Sequence, residues 1–200
     1  MRQLEAALEA EALKRQYFYD VVSDQQTAEF INGEVIVQSP VKESHSEASE
    51  NLFTLLKMHV RQNELGIVHH EKALVTLTRN DYEPDICFFG NEKASHITPS
   101  QMKYPAPDFV VEVISDSTEL ADRGVKFEDY AAHGVREYWI VDAVRQTVEQ
   151  YLLEEGVYKL SIKASAGMIA SVAVMGFEIP VRAIFDPSEQ LAALRTIVAR

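Results

Sequence analysis

The sequence predicts an α/β domain with a mixed central β-sheet flanked by helices, and three observations support this prediction. Residues 86–89 and 109–114 are nearly continuous apolar runs, which are typical of strands buried on both faces. Residues 44–63 and 119–133 carry apolar side chains at helical spacing. Consecutive strands with no helix between them favour antiparallel pairing, whereas the helix at 119–133 favours a parallel crossover. The sheet should therefore contain strands of both directions.

The N-terminal part is predicted to contain a helix, a hairpin and a second helix. Residues 3–16 lack Gly and Pro and have mostly alanine at their apolar positions, which indicates a weakly docked helix. Residues 28–37 predict a β-hairpin, because the Asn-Gly pair at 32–33 tolerates the positive φ of a two-residue turn. Residues 44–47 have the Ser-x-x-Glu spacing of a capping box, so a helix should begin there and end near Asn63.

The middle of the chain alternates strands with loops. Residues 67–77 and 84–89 are strand candidates, and residues 90–107, which contain three prolines, are expected to form a loop or lid. The strand around Glu112 comes next. A helix capped near residues 116–119 should follow it and end at Gly134, because glycine commonly terminates helices.

The last third of the chain is predicted to be rich in β-structure. Residues 135–141 form a strand that contains the only tryptophan, and residues 147–162 form a hairpin. A strand near residues 177–179 precedes a short helix that starts at Pro187. The hairpin at the start of the chain and those near its end are additions to the central sheet.

Composition limits the classes of function. The chain has 200 residues, is 46% hydrophobic and 25% charged, and carries a formal net charge of −12, as expected for an acidic globular domain. This charge does not favour non-specific nucleic-acid binding, which depends on Lys and Arg. A polyanion partner would need a local basic patch or metal ions that offset the acids.

The cysteine content and the absence of a long apolar run bear on location. Cys87 is the single cysteine, which excludes an internal disulfide and a multi-cysteine zinc site, and its apolar surroundings predict a small buried side chain. The N-terminus lacks the apolar core of a signal peptide, and no run has membrane-spanning length. We therefore expect a cytoplasmic protein with no membrane partner.

The most informative residue is Glu112, which lies within the apolar run 109–114. Removing water from a carboxylate costs several kcal/mol, so Glu112 needs a cation, a metal ion or an opening in the fold. Asp85 stands at the start of the other apolar strand. Two acids on neighbouring buried strands suit Mg²⁺ or Mn²⁺, which prefer oxygen ligands. The alternative is that Glu112 pairs structurally with Lys126 or Arg123 and that no metal binds.

Lys126 is the candidate for a catalytic cation. Helical geometry places it beside Tyr130 at the edge of an apolar stripe, from which a long side chain can extend past the core toward the sheet. A lysine near two metal-binding carboxylates could stabilise a phosphate or orient a water molecule. The alternative is a solvated lysine at the edge of a helix.

These residues resemble those of the PD-(D/E)XK nuclease superfamily and, more closely, the Uma2 family of restriction-endonuclease-like proteins. The matching segments are Ile31–Glu34 with Ser39-Pro40, His45, Glu83–Asp85, Ala106–Ser115, Ser117-Thr118, Asp122, Lys126, Tyr130 and Gly134–Asp142. The resemblance covers roughly residues 25–185 and leaves the N-terminal helix outside.

The resemblance implies a restriction-endonuclease-like fold and a metal-dependent nuclease that hydrolyses DNA phosphodiester bonds. Asp85 and Glu112 would bind Mg²⁺ or Mn²⁺ with the Val113 carbonyl as a further ligand, and Lys126 would complete the catalytic set. The superfamily places a lysine two residues after the glutamate, where this chain has Ile114. An apolar side chain cannot donate to phosphate, so activity should depend on Lys126.

Two secondary site residues, the domain limits and the partners complete the expectations. Glu34 and His45 also match the family; the alternatives are a solvated acid for Glu34 and a packing or capping role for His45. The domain limits are 1–24 for a helical appendage, 25–187 for the nuclease-like domain and 188–200 for a C-terminal helix. Cutting two DNA strands needs two sites, which predicts a homodimer with two-fold symmetry. The alternative functions are a nuclease-like fold that binds without cutting, and a phosphodiesterase acting on RNA or nucleotides.

Overall fold

The computed structural model describes residues 2–22 and 28–199 and confirms the mixed α/β class. The boundary predicted between residues 24 and 25 lies outside the described residues. The helices are α1 Arg2–Val21, α2 Glu43–Gln62, α3 Asn91–Ala94, α4 Glu119–Asp122, α5 Val125–Ala132 and α6 Pro187–Val198, with a 3-10 turn at Val181–Ile184. Among these helices, none combines the length and apolar character that a bilayer crossing requires.

The strands follow the sequence prediction in most places. They are β1 Ala28–Ile31, β2 Glu34–Val37, β3 Gly66–His70, β4 Leu74–Thr76, β5 Asp81–Tyr82, β6 Ile86–Gly90, β7 Lys103–Tyr104, β8 Phe109–Val113, β9 Glu137–Asp142, β10 Thr147–Glu154, β11 Val157–Ala164, β12 Met168–Ala170 and β13 Glu178–Pro180. The segment predicted as one strand at 67–77 is two strands, because Glu71 and Lys72 adopt positive φ.

The central sheet has the strand order β11-β10-β9-β8-β6-β3. Strands β8 and β9 are parallel, and the other neighbouring pairs are antiparallel. The parallel pair is joined by the α4–α5 crossover, as the sequence predicts. The hairpin at 147–162 extends this sheet, whereas β12 and β13 form a separate two-stranded ribbon.

A second sheet, which the sequence does not predict, has the order β2-β1-β5-β4-β7 and is called the hairpin sheet below. The predicted hairpin forms its edge, and Asn32 and Gly33 turn with φ of 51° and 84° as expected. The remaining strands are two or three residues long, too short for a periodic pattern to be detected. Val75 and Tyr82 of the hairpin sheet share a core with Val110 of β8 and with Tyr130 of α5, so this sheet packs on one face of the central sheet.

The helices differ from prediction at three points. α1 is docked at its C-terminal half, because Phe18 is fully buried and Arg15 binds Asp81 at 2.6 Å. The predicted capping box is wrong: the N-cap is Lys42, two residues before the predicted N-cap Ser44, and no side chain caps the helix. The helix predicted after Glu112 is broken at Gly124, whose φ and ψ of −115° and −104° are not helical, so α4 and α5 are separate.

Strand β8 is buried on both faces and its side chains alternate between two cores. Phe109, Val111 and Val113 face the core formed with α2 and α6. On the opposite face, Val110 and Ile114 join a core that includes Tyr130 of α5. Because side chains alternate along a strand, Glu112 lies on this second face, between the central sheet and the hairpin sheet.

A second buried glutamate, Glu137 on β9, is fully hydrogen-bonded. It accepts hydrogen bonds at 2.6–2.8 Å from Trp139 Nε1, Gln150 Nε2, Ser171 Oγ and the backbone N–H groups of Val172 and Ala173. Five donors satisfy this carboxylate without a metal ion. Glu137 therefore attaches the 171–173 segment to the central sheet.

Candidate active site

A cleft of about 620 Å³ lies between the hairpin, the N-terminus of α2 and the segment that follows β8. The six site residues that the sequence predicts all line it: Glu34, His45, Asp85, Glu112, Val113 and Lys126. The hairpin forms one wall, while β8, α4 and α5 form the floor. Residues distant in sequence are thus brought together at one place.

Asp85 and Glu112 are adjacent because β6 and β8 are antiparallel neighbours. Ile86 is paired with Val111, so the residue before β6 lies beside the end of β8. The backbone N–H of Val113 donates to Asp85 Oδ2 at 2.6 Å, and the N–H of Asp85 lies 3.5 Å from Glu112 Oε2. The Asp85 side chain keeps 19% of its surface exposed to the cleft, whereas Glu112 is buried.

Lys126 occupies the floor of the cleft and is only 2% exposed. The alternative of a solvated lysine is therefore wrong, because the side chain reaches past the helix toward Glu112 and is enclosed. Its Nζ lies 3.3 Å from Glu112 Oε1, 2.9 Å from Glu29 Oε1 and 3.1 Å from Asp122 Oδ1. Ile114, at the position where the superfamily has lysine, packs in the apolar core instead.

Two further acids of the cleft, Glu29 and Asp122, are not among the site residues that the sequence predicts. Glu29 is 3% exposed and Asp122 is 1% exposed, although they lie on a short hairpin strand and a single-turn helix. Glu29 stands between two buried residues, Ala28 and Phe30, which is the signal that identifies Glu112. For Asp122 the only signal is its place among the residues that match the family.

The electrostatics of the cleft follow from burial and crowding of acids. Burial raises the pKa of Glu112 well above its usual value; Lys126 opposes this shift, and Asp122 and Asp85 add to it. Burial likewise raises the pKa of Glu29, again against Lys126. For Lys126, burial lowers the pKa, but the surrounding carboxylates outweigh it and the net shift is upward. Lys126 is therefore held as a cation.

Glu83, two residues before Asp85, is a further acid in the cleft. Burial raises its pKa to about 7, partly offset by the hydrogen bond from the backbone N–H of Ala28. The backbone N–H of Glu83 donates to Glu29 Oε1 at 2.9 Å. These contacts connect the hairpin to the segment that carries Asp85.

His45 and Glu34 have different surroundings. His45 is 7% exposed, and its Nε2 lies 3.5 Å from Asp85 Oδ2. Burial lowers the pKa of His45, but the contacts with Asp85 and with the Val113 backbone outweigh it and raise the pKa. Glu34 is exposed on the hairpin, and among the described residues it makes no hydrogen bond or ion pair to another site residue. His45 therefore belongs to the acidic centre, whereas Glu34 lies at its rim.

The alternative partners considered for Glu112 are resolved by geometry. Arg123 binds Glu149 and Glu119 and does not contact Glu112. Asp108 follows a proline, as Asp85 does, but it lies apart from this pairing: it accepts a hydrogen bond from the Gly90 N–H and binds Lys93. Glu112 is paired with Lys126. This contact is the structural pairing considered for Glu112, and it also places the predicted catalytic lysine beside the predicted metal ligand.

The donor chemistry of the cleft fits a hard divalent cation. Five acids, namely Glu29, Glu83, Asp85, Glu112 and Asp122, line its inner part around one lysine and one histidine. Within the described residues, no three His, Cys, Asp or Glu side chains are arranged to enclose a metal ion. The implied set has two carboxylates and a backbone carbonyl, and a bound cation would offset the excess of buried acid over base.

Comparisons with known proteins agree on one family. A model of the Uma2 family, described as "Putative restriction endonuclease", matches residues 11–182. The match begins within α1, which corrects the expectation that this helix lies outside the resemblance. The docked Arg15 and Phe18 are consistent with this wider range.

Individual relatives are more distant. Two Synechocystis sp. (strain PCC 6803) proteins, named "Uncharacterized protein sll1609" and "Uncharacterized protein slr1290", are 28% and 29% identical over 62% of this chain, and the matches cover 71% and 64% of their own lengths. A crystal structure from Anabaena variabilis, titled as a putative nuclease belonging to DUF820, matches with a TM-score of 0.71 at 15% identity. It covers 88% of this chain and 96% of that chain, so the fold is shared.

Proposed function

The chain belongs to the Uma2 family, described as "Putative restriction endonuclease", and from this premise we propose that it is a nuclease that hydrolyses DNA phosphodiester bonds with Mg²⁺ or Mn²⁺. Asp85, Glu112 and the Val113 carbonyl would hold the metal ion, and Lys126 would complete the catalytic set. The observation that supports this most is the 3.3 Å distance between Lys126 Nζ and Glu112 Oε1. Lys126, which lies on α5, thus supplies the positive charge that Ile114 cannot supply at the usual lysine position.

The residues of the cleft have separable roles in this proposal. A bound Mg²⁺ would supply a water of lowered pKa and neutralise phosphate charge. Asp85 is oriented by the Val113 N–H, and Glu112 is fixed in a strand paired on both sides. The buried ammonium of Lys126 would stabilise negative charge that develops on the phosphate, in a place from which bulk water is excluded. His45 would assist by holding Asp85.

The test is cleavage of supercoiled plasmid DNA in Mg²⁺, in Mn²⁺ and in EDTA. We expect nicked and linear products in the metal buffers and none in EDTA, because the carboxylates act through the cation. Glu112→Ala, purified in the same way, should show only background and serves as the control for contaminating nucleases. Wild-type inactivity on DNA and RNA in both metals, together with no metal binding by calorimetry, would refute the proposal.

The charge of the cleft favours a second candidate function. Seven acidic residues and two lysines line the cleft. An acidic lining repels a polynucleotide unless cations offset it, whereas a basic groove would attract one. The acidic lining therefore favours a nuclease-like fold that binds a partner without cutting, and a phosphodiesterase acting on RNA or nucleotides is a separate alternative. Cleavage of RNA or a nucleotide diester with intact plasmid would support the latter.

We also propose that the protein is a homodimer and that it is cytoplasmic. Among the described strands, β2 is the last of its sheet, and Val35, Ile36 and Val37 are 42%, 42% and 53% exposed on it. An apolar edge strand is a ready site for pairing with another chain. Light scattering should give twice the chain mass for the wild type, and Val35→Lys should shift it toward the monomer. A wild-type monomer at micromolar concentration would contradict the dimer.

A further inference from the structure

Lys126 donates a hydrogen bond to Glu112 and forms ion pairs with two further carboxylates, Glu29 and Asp122, that have no part in the proposed metal chemistry. Glu29 Oε1 at 2.9 Å and Asp122 Oδ1 at 3.1 Å are both closer to its Nζ than Glu112 Oε1 at 3.3 Å. All four side chains are buried. A single lysine is therefore shared by three acids, only one of which is a proposed metal ligand.

We propose that Glu29 and Asp122 are positioning residues, which hold the Lys126 ammonium at the floor of the cleft while Glu112 binds a divalent cation. The inference rests on the proposed function. A cation on Glu112 competes with Lys126 for the same carboxylate and repels its charge. If Glu112 were the only partner, Lys126 would become a buried, unpaired cation, which is strongly unfavourable. With Glu29 and Asp122 in contact, Lys126 keeps two partners.

Both positioning residues are anchored by the fold. Glu29 lies on β1, which is paired with β2 and β5, and its Oε1 accepts the Glu83 N–H at 2.9 Å. These contacts fix the carboxylate from the hairpin side of the cleft. Its position does not depend on Glu112 or on Asp85.

Asp122 approaches Lys126 from the other side. Its backbone carbonyl accepts the Tyr138 hydroxyl at 2.9 Å, which ties the end of α4 to the central sheet. The break at Gly124 separates α4 from α5, and a Cβ at that position would meet the Leu120 carbonyl at 2.7 Å. The glycine thus permits the turn that brings Asp122 against Lys126.

The test is a set of Mn²⁺ titrations by calorimetry on full-length protein without DNA. The variants are Glu29→Gln, Lys126→Met and the double variant, each checked for folding by circular dichroism. In the wild-type background we expect Glu29→Gln to weaken Mn²⁺ binding about tenfold, because Lys126 then keeps only Asp122 besides Glu112 and competes more strongly with the metal for Glu112. In the Lys126→Met background the same change should alter binding less than about threefold.

The outcome separates positioning from simple loss of charge. If Glu29 acts only as a negative charge, its removal weakens binding by the same factor in both backgrounds, and the inference is overturned while metal binding stands. Asp116→Asn is the matched control, since it removes a cleft acid that contacts Lys42 and not Lys126. Asp116→Asn should change the affinity for Mn²⁺ by the same small factor in the wild-type and Lys126→Met backgrounds.

Asp122→Asn provides a second variant if Glu29→Gln does not fold, and it should likewise weaken Mn²⁺ binding more when Lys126 is present than in the Lys126→Met background.

A further readout is cleavage: either variant should lower kcat with little change in KM, since Lys126 contributes after the substrate has bound. A wild type that binds no Mn²⁺ at all overturns both this inference and the proposed function. If the wild type binds Mn²⁺ but the effects of Glu29→Gln and Lys126→Met on Mn²⁺ affinity are additive in the double variant, this inference alone is overturned.

Discussion

Lys126→Met is expected to lower the free energy of unfolding of the metal-free protein by about 3–5 kcal/mol. The substitution keeps the length and the apolar stem of the side chain but removes the cation shared by Glu29, Asp122 and Glu112. Three buried carboxylates then lose their shared cation, and the backbone N–H groups that still bind Glu29 and Glu112 do not neutralise the charge. Chemical denaturation in EDTA measures the change.

The same variant should lose about 10²–10³-fold in DNA cleavage, because a preorganised charge near the phosphate is removed. Mn²⁺ should raise the melting temperature of the variant more than that of the wild type, since the metal replaces the missing positive charge. Lys14→Met on the exposed face of α1 is the control and should change stability by no more than about 0.5 kcal/mol. Unchanged stability with full activity would mean that Lys126 has neither role.

Glu137→Ala is expected to be at least as damaging to stability, at about 4 kcal/mol or more, without any effect on the metal site. The five donors would lose this acceptor; the donors of Trp139 and Ser171 are buried, whereas Gln150 keeps its bond to the Ala170 carbonyl, and each buried donor left unpaired costs about 1–3 kcal/mol. The segment at 171–173 would lose its attachment to the sheet. Equilibrium unfolding in urea gives the value.

The control for Glu137 is Glu154→Ala on the neighbouring strand β10. Glu154 is 55% exposed and forms a surface pair with Lys159, so its loss should change stability by less than about 1 kcal/mol. If the protein remains folded at low temperature, Glu137→Ala should bind Mn²⁺ with wild-type affinity. A change of under about 1 kcal/mol for Glu137 would show that water satisfies the five donors.

The two buried glutamates show what a sequence pattern can and cannot distinguish. Glu112 and Glu137 both lie in strands that are buried on both faces. The pattern indicates in each case that the carboxylate needs a partner. It does not identify the partner: Glu137 is satisfied by five hydrogen-bond donors, whereas Glu112 faces a lysine and further acids.

Much of the fold is predictable because its signals are local. The apolar runs at β6 and β8, the Asn-Gly turn of the first hairpin and the helical spacing of α2 depend on residues a few positions apart. The pairing of β6 with β8 and the crossover to β9 follow from chain order. Local pattern and chain order therefore suffice to place Asp85 beside Glu112.

The sequence by itself determined the mixed α/β class, the family and the pair of acids at the ends of neighbouring strands. Only the tertiary structure decided that the hairpin joins a second sheet, which covers Lys126 and brings Glu29 against it. The physical reason is that burial of Lys126 depends on contacts between segments far apart in the chain. Local spacing predicts which face of a helix is apolar, but not which charged residue another sheet will enclose.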